Sequence, residues 1–284
     1  MLAATKIQKQ SAAFSLLLKE IPDCPKELYC IGNGSLLKEK YLISIVGSRR
    51  ATSYGLHQSE GIAYQLARSG VVVVSGMAIG VDGAAHRGAL KAKGKTIAVL
   101  GTAINKFYPQ AHMALARQIL SHGGLIISEY EPDAPFYKEN FLARNRIIAG
   151  ISQATIVTEA AERSGALVTA AYALDYNRDV FSVPGDVDRL NSVGTNALIK
   201  KGAFCLTSAK DVLNALEIEE GKLALVDLPK EEKAILEIVK SGQISFDEIL
   251  KKSKAKPADL NSSLLRLEIK GMIKSTGTGE YHNI

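Results

Sequence analysis

From residue 41 onward, the chain alternates short, almost wholly apolar runs with longer segments of helical periodicity. Apolar runs without a polar face are typical of parallel strands that helices cover on both sides. The pattern predicts strands at Tyr41–Val46, Val71–Ser75, Thr96–Leu100, Leu125–Ser128, Ala154–Thr158 and Val180–Val183. It predicts helices over residues 53–69, 81–92, 109–122, 140–150, 165–176 and 208–217. Right-handed crossovers between such strands predict the α/β class, with a doubly wound, mostly parallel, Rossmann-like sheet.

The two ends of the chain depart from this alternation. Residues 1–40 contain one apolar helix candidate, Ile7–Lys19, and are too short for a domain, so we expect an N-terminal extension packed on the sheet. Residues 41–217 form the predicted Rossmann-like domain, and residues 218–228 form an acidic, glycine-broken linker. The remaining residues, 229–284, are predicted to form a small separate domain.

The C-terminal segment has the element order of a winged helix-turn-helix domain. Its pattern predicts helices over 229–240, 245–253 and 257–270, followed by a pair of extended segments over 271–284.

Composition limits the class of protein. Of 284 residues, 46% are hydrophobic and 23% are charged, which is typical of a globular chain and excludes a disordered one. No apolar run reaches the roughly 18 residues of a membrane span. The first ten residues lack the apolar segment of a secretory signal, so we expect a cytoplasmic protein.

Cysteine spacing and charge exclude further classes of site. Cys24, Cys30 and Cys205 show neither CxxC spacing nor clustering with histidine, so the sequence predicts no metal site. No cofactor is predicted, and whether a nucleotide also binds the loops at Gly76–Gly80 and Gly101 stays open. The net charge of +6 is spread evenly, because residues 1–40, 41–221 and 222–284 each contribute +2. A site for a polyanion must therefore be a local patch.

The loop after the first predicted strand is Gly47-Ser48-Arg49-Arg50. Ligands of such sheets bind beyond the carboxyl ends of the strands. A glycine turn exposes backbone N–H groups to an anion, and guanidinium groups grip phosphate with two hydrogen bonds. We interpret the loop as a phosphate site, although two solvated arginines remain the alternative and the sequence does not decide which arginine binds.

The second loop places Gly76 and Gly80 before a helix, whose N-terminus also favours phosphate. Asp82 and His86 lie four residues apart on that helix. A structural pair is favoured over an acid and base or a metal site, because no third ligand lies nearby.

Residues 136–146 interleave cations with aromatic rings, and include Phe136, Tyr137, Lys138, Phe141, Arg144, Asn145 and Arg146. A site for single-stranded nucleic acid needs charge for the phosphates and flat apolar faces for unstacked bases. The alternative is that Phe141 is a core residue and that the arginines neutralise acidic neighbours.

The loop after the fifth predicted strand contains Glu159, Glu162 and the pair Ser164-Gly165. Ser164 and Gly165 predict a tight turn with a helix N-cap. The two carboxylates are either catalytic or hydrogen-bonding groups of a buried loop.

Seven stretches of the chain resemble, in order, the DNA-processing protein family DprA, also called Smf. They lie within residues 45–203 and are IVGSRRATSYG, SGMAIGVDGAAHRGAL, TIAVLGTAINKFYP, ISEY, FLARNRIIAGIS, TEAAERSGALVTAAYAL and VFSVPGDVDRLNSVGTNALIKKGA. The C-terminal segment resembles the winged-helix module of the same family. The sterile-alpha-motif-like domain of longer members is expected to be absent or reduced to a remnant in residues 1–40.

The resemblance implies a bacterial protein that binds incoming single-stranded DNA during natural transformation. Such a protein protects the strand and helps to load the RecA recombinase onto it, as a homodimer formed through the Rossmann-like domain, at late helices near residues 160–216. We predict no catalytic residue. The predicted DNA-binding residues are Gly47, Ser48, Arg49, Arg50, Lys138, Phe141, Arg144, Asn145, Arg146, Ser164 and Gly165.

Two other functions stay open. Nucleotide phosphoribohydrolases of the same fold superfamily use PGGxGTxxE, whereas the matching stretch here, TEAAERSGALVTA, has Val168 and Thr169 where the acid would lie. A regulator of double-stranded DNA would use the winged helix. Its candidate recognition helix, Pro257 to Lys270, has no net charge, although lysines cluster in the preceding turn.

Overall fold

The structure is a computed structural model that describes residues 4–219, 229–240, 242, 244–253, 255–269, 272–276 and 279–283. The chain divides into two compact units, Met1–Gly221 and Lys222–Ile284.

The first unit is built on one sheet. Its strands are Thr5–Gln8 (β1), Glu27–Gly32 (β2), Leu42–Val46 (β3), Val72–Ser75 (β4), Thr96–Leu100 (β5), Leu125–Ser128 (β6), Ala154–Val157 (β7), Asp179–Ser182 (β8) and Phe204–Cys205 (β9). Their order across the sheet is β1-β2-β6-β5-β4-β3-β7-β8-β9. The pairs from β6 to β9 are parallel, and β1 and β2 are antiparallel additions. The predicted mostly parallel α/β sheet is confirmed.

Helices connect the strands of the first unit. They are Leu16–Lys19 (α1), Ser53–Arg68 (α2), Val81–Lys91 (α3), Met113–Ser121 (α4), Asn140–Ala143 (α5), Asn145–Gly150 (α6), Gly165–Asp175 (α7), Val193–Lys200 (α8) and Ala209–Ala215 (α9). The predicted helix over 140–150 is two short helices that meet at Arg144. Helix α8 and strand β9 were not predicted.

The core lies on both faces of the sheet, which explains why the central strands are continuous apolar runs. Alternate residues of β3 show the arrangement. Ile43 and Ile45 pack into one hydrophobic cluster together with α2 residues, whereas Leu42 and Val46 pack into the cluster on the other face. A strand buried on both sides has no polar face that would reveal a period of two.

The N-terminal segment differs from its prediction. The expected helix Ile7–Lys19 is wrong, because residues 5–8 form β1 and only Leu16–Lys19 is helical, with Ser15 as its N-cap. Residues 27–32 form β2, which pairs with β6. The described part of this segment, residues 4–40, thus extends the sheet itself as well as packing on it. Arg178 fastens the segment, because its guanidinium donates to the Leu17 carbonyl at 3.3 Å and lies 2.6 Å from a Glu20 carboxylate oxygen.

The second unit has the predicted winged-helix elements. They are Lys230–Lys240 (α10), Ile244–Ser245 (β10), Phe246–Ser253 (α11), Pro257–Ile269 (α12), Ile273–Ser275 (β11) and Glu280–Asn283 (β12). The three strands form a sheet in the order β10-β12-β11. Ile235, Val239, Leu260 and Leu264 are among the side chains of its separate core. Of the predicted linker, Ile218 is buried in the core of the first unit, and residues 220–228 lie outside the described residues.

Among the described residues, no helix combines the length and the apolar character that crossing a membrane requires.

Candidate nucleic-acid interface

The candidate interface lies at the carboxyl ends of neighbouring strands. Because β6, β5, β4 and β3 are adjacent in the sheet, the loops that follow them meet at one edge. These loops contain the Arg49 turn after β3, the Tyr108 segment after β5 and the segment from Phe136 to Phe141 after β6.

The backbone of the Gly47-Ser48-Arg49-Arg50 loop is bonded within the protein. The Ser48 N–H donates to the Glu159 carbonyl at 2.7 Å, and the Arg50 N–H donates to the Ser48 hydroxyl at 3.1 Å. A Cβ at Gly47 would lie 2.6 Å from a Val81 methyl carbon, so the glycine allows α3 to approach. These bonds use the Ser48 and Arg50 N–H groups, which the predicted phosphate site would need as donors. The exposed side chains of Arg49 and Arg50 remain as groups of this loop that could bind a phosphate.

The glycines of the second loop also make room for the protein's own groups rather than for an anion. A Cβ at Gly76 would lie 2.5 Å from a guanidinium nitrogen of Arg144. Gly80 has φ +89°, and a Cβ there would lie 2.3 Å from the Ser48 carbonyl oxygen. Both close approaches require glycine for internal packing.

Arg144 and Asn145 lie inside the protein. Arg144 is 4% exposed, and its Nη1 donates to the carbonyl oxygens of Gly76, at 2.6 Å, and of Val99. Asn145 donates to the Gly165 carbonyl at 3.2 Å. Burial lowers the pKa of Arg144 to about 10, which leaves the guanidinium charged at neutral pH. The prediction that these two side chains contact DNA does not agree with their burial.

Arg146 is half-buried and forms an ion pair with Glu129, at 2.6 Å between Nη2 and the carboxylate oxygen. This is the alternative interpretation of the sequence, in which an arginine neutralises an acidic neighbour. Ser164 caps α7 as predicted, because its hydroxyl accepts from the Ala166 N–H at 3.3 Å. Gly165 is exposed beside it.

Four aromatic and cationic groups converge at the surface. The guanidinium carbon of Arg49 lies 5.4 Å from the centroid of the half-buried Phe141 ring, within cation–π distance. The Phe141 centroid is 5.3 Å from that of Tyr108 and 5.6 Å from that of Phe136. The centroids of Tyr108 and Phe136 are 5.9 Å apart. We call Tyr108, Phe136 and Phe141 the ring cluster; exposed Lys138 lies in the same loop as Phe136.

Tyr108 and Phe136 are the site residues that the sequence prediction left out. Phe136 belongs to the segment in which cations and aromatic rings are interleaved, so the composition of that segment indicated a role for Phe136 in binding nucleic acid. Tyr108 follows a different strand, and only the adjacency of β5 and β6 brings it to Phe136.

Of the two roles that the sequence leaves open for Glu159, catalytic or hydrogen-bonding, the structure favours the hydrogen-bonding one. Its buried carboxylate accepts from the Thr52 N–H at 2.8 Å and from the Thr52 hydroxyl at 2.7 Å, at the start of α2. Glu162 is exposed. In the part of the chain that the structure describes, no three histidine, cysteine or acidic side chains cluster in a way that could hold a metal ion.

Asp82 and His86 are buried and bond to different partners, so the predicted pair does not form. Asp82 accepts from the Ala78 N–H at 3.3 Å, and burial raises the pKa of its carboxyl. His86 Nδ1 lies 2.7 Å from the Thr96 hydroxyl, which itself donates to the Val73 carbonyl, so Nδ1 is the donor. Burial lowers the pKa of His86 to about 3, and the ring is neutral at physiological pH. Both residues are structural.

Two family models match the chain. One, described as DNA recombination-mediator protein A, matches residues 5–217, and the other, described as the DprA winged helix domain, matches residues 221–277. The chain is 41% identical to Protein Smf of Escherichia coli over 195 residues, which are 69% of this chain and 52% of that protein. It is 43% identical to the DNA processing protein DprA of Streptococcus pneumoniae over 200 residues, 70% of each chain. The chain spans about half the length of the Smf proteins of Escherichia coli and Synechocystis.

Two solved structures share the fold. DNA processing protein A from Streptococcus pneumoniae aligns with a TM-score of 0.70 and 41% identity, over 74% of this chain and 73% of that chain. DNA processing protein A from Helicobacter pylori, whose structure concerns a single-stranded DNA binding mode, aligns with a TM-score of 0.69 and 32% identity, over 76% of this chain and 96% of that chain.

Proposed function

The chain belongs to the DNA recombination-mediator protein A family, and from this premise we propose that it binds single-stranded DNA without sequence preference and without catalysis. The observation that supports this most directly is the position of Arg49 over the Phe141 ring, beside two exposed aromatic side chains. Guanidinium and ammonium groups neutralise phosphates, and aromatic faces stack on bases of any identity.

Relatives add independent support. The Helicobacter pylori protein, at 32% identity, binds single-stranded DNA. The buried and bonded state of Glu159 favours binding over hydrolysis, because a carboxylate that accepts two hydrogen bonds from Thr52, the N-cap of α2, is not available to a substrate.

In the cell, the proposed role is to bind incoming single strands in the cytoplasm during natural transformation. The protein would protect the strand and assist the loading of the RecA recombinase onto it. Family membership supports this proposal, since the matching model describes a recombination mediator.

We propose further that the protein acts as a homodimer and that β9 belongs to the interface. This strand ends the sheet order, and its Phe204 side chain is 51% exposed. The Phe204 ring stacks on Phe181, with 5.0 Å between centroids, so its position is fixed. A sheet edge with a fixed, half-exposed aromatic ring suits a two-fold contact with the same edge of a second copy. Two DNA sites in one dimer would bind one strand bivalently.

Phe204→Glu is expected to weaken the dimer, because two-fold symmetry places the two new carboxylates close together. Like charges across an interface cost several kcal/mol, so we expect a roughly hundredfold higher dissociation constant. Sedimentation velocity over a concentration series measures it. Leu16→Glu, at another exposed apolar position, is the control. A dimer that survives Phe204→Glu unchanged would remove β9 from the interface.

The binding proposal is tested by fluorescence anisotropy of a labelled single-stranded oligonucleotide at two salt concentrations, with and without excess unlabelled duplex. We expect the single strand to bind and the duplex not to compete, since paired bases do not expose their faces. Equal competition by duplex would make the winged helix the DNA-binding element. Absence of binding together with release of ribose phosphate from nucleotides would favour the hydrolase alternative.

A further inference from the structure

We infer that the edge of the sheet opposite the candidate interface binds the phosphate groups of double-stranded DNA. The surface is formed by the segments before β3, β4 and β5, which are residues 38–41, 68–71 and 91–95, and we call it the basic face. This inference goes beyond the proposed function, because the basic face contains none of the residues predicted to bind the single strand.

The basic face has a high local charge. Its three segments contain six cations and one carboxylate, a net charge of +5, against +6 for the whole chain. The cations are Lys38, Lys40, Arg68, Lys91, Lys93 and Lys95, and the carboxylate is Glu39. All five lysines are exposed, whereas Arg68 is half-buried. This is the kind of local patch that a site for a polyanion requires.

The strand order brings the three segments together. Because β3, β4 and β5 are adjacent and parallel, their amino ends lie at the same edge of the sheet. The Val72 N–H donates to the Tyr41 carbonyl at 2.9 Å, and the Val73 N–H donates to the Lys95 carbonyl at 3.2 Å, so the backbone holds each segment beside its neighbour. Neighbouring strands lie about 4.8 Å apart, which places the segments within about 10 Å, roughly one Debye length, and their potentials add.

The partners of two lysines leave this positive potential in place. Lys91 forms an ion pair with Glu60, at 3.4 Å between the ammonium and the carboxylate oxygen, and an ion pair so exposed to water is weak. The Lys95 ammonium donates to the His122 carbonyl at 2.5 Å, a group without net charge.

The chemistry of the basic face fits phosphates rather than bases or a protein surface. In its three segments, all of which the structure describes, no large apolar side chain is exposed. Protein interfaces have an apolar core with few lysines, whereas nucleic-acid interfaces are polar and positively charged. The rings of Tyr41 and Tyr64 are half-buried, and the Lys40 ammonium and the Arg68 guanidinium lie over them at 4.7 Å and 5.7 Å. These rings therefore offer little free face to a base.

Duplex DNA suits such a surface better than a single strand does. It carries one negative charge per about 1.7 Å of its axis, and contacts to phosphates alone do not require unpaired bases. The central strands have four or five residues, so the basic face lies about 15 Å from the edge that carries the candidate interface. A duplex on the basic face thus leaves the ring cluster open to a single strand.

The test titrates the full-length protein with a labelled duplex oligonucleotide and, separately, with labelled oligothymidylate at several salt concentrations. The double variant Lys40→Gln with Lys93→Gln removes two charges from the basic face. Lys26→Gln with Arg117→Gln is the matched control, because it removes two exposed cations from other parts of the same domain and gives the same net charge. Thermal unfolding verifies that each variant is folded.

We expect the double variant to bind the duplex roughly tenfold to a hundredfold more weakly than the unchanged protein. The slope of the logarithm of duplex affinity against the logarithm of salt should fall by about 1.8, since each phosphate contact on a duplex contributes about 0.9. The control variant should keep the duplex affinity, and both variants should keep the oligothymidylate affinity.

Lys93 separates DNA binding from stability. It has φ +57° just after α3, a left-handed conformation that glycine usually adopts at the end of a helix. Lys93→Gly relieves this strain, so we expect unchanged or higher thermal stability together with weaker duplex binding. A lysine that served only to offset the dipole of α3 would give the reverse, lower stability with full duplex affinity.

Four results would overturn the inference. Absence of duplex binding by the unchanged protein is the first. Full duplex affinity in the double variant is the second, and it would make the winged helix the duplex-binding element. An equal loss in the control would mean that overall charge decides binding, and tighter binding of labelled polyglutamate than of duplex would make the partner an acidic protein. The oligothymidylate titration tests the proposed function separately, so each can fail without the other.

Discussion

Arg144→Ala is expected to lower the free energy of unfolding of the first unit by about 3–5 kcal/mol, the range seen when one member of a buried, charged network is removed. The carbonyl groups of Gly76 and Val99 would lose a charged donor without gaining access to water. Asp82, whose buried carboxyl is stabilised in its charged form by Arg144, would lose that attraction as well.

Urea unfolding followed by circular dichroism measures this change. The control is Arg49→Ala, because Arg49 is exposed and its removal should alter stability little. Arg144→Ala protein that remains folded should keep the salt dependence of DNA binding, since the buried guanidinium meets no phosphate. Unchanged stability together with a flattened salt dependence would mean that Arg144 is a DNA contact after all.

The burial of Arg144 could not be predicted from the sequence. The segment Phe141 to Arg146 has three apolar residues followed by Arg144, Asn145 and Arg146. This composition fits a helix, but it does not indicate which of the two arginines points inward. The chain breaks this helix at Arg144, and the guanidinium enters the space above Gly76. The sequence predicts a close approach at Gly76 and favours phosphate as the approaching group, whereas in the structure that group is the guanidinium of Arg144, 68 residues away along the chain.

The strands of the sheet centre were predictable for a physical reason. Burial on both faces requires unbroken apolar runs, and Thr96–Leu100 and Leu125–Ser128 occur in the structure with the predicted bounds. The edge strand Thr5–Gln8 has a single apolar residue, Ile7, and is too short to show a period. Its identity depends on pairing with residues 27–30, which local pattern does not reveal.

The ring cluster was only partly predictable for the same reason. Composition indicated the Phe136 to Phe141 segment, because rings and cations are neighbours along the chain there. Tyr108 joins them through the strand order, which brings together the loops after β5 and β6. Distances between loops follow from topology, whereas single-loop motifs follow from sequence.

Arg49→Gln is expected to weaken single-stranded DNA binding by roughly tenfold to a hundredfold, the range for a lost charged hydrogen bond. The slope of the logarithm of affinity against the logarithm of salt should fall by about 0.7, the value for one phosphate contact on a single strand. Arg49 is the cation at the ring cluster, so a phosphate beside the stacked bases lies within its reach.

Arg50→Gln is the matched control, because it removes the same group from the next residue. The backbone carbonyl of Arg50 accepts from Asn191, in the segment after β8, which follows a strand on the opposite side of β3 from β5 and β6. Anisotropy titrations at several salt concentrations should therefore show a smaller change in affinity and slope for Arg50→Gln. Equal slopes for both variants would mean that each arginine binds a phosphate, and a larger effect of Arg50→Gln would place the strand toward β8 and away from the ring cluster.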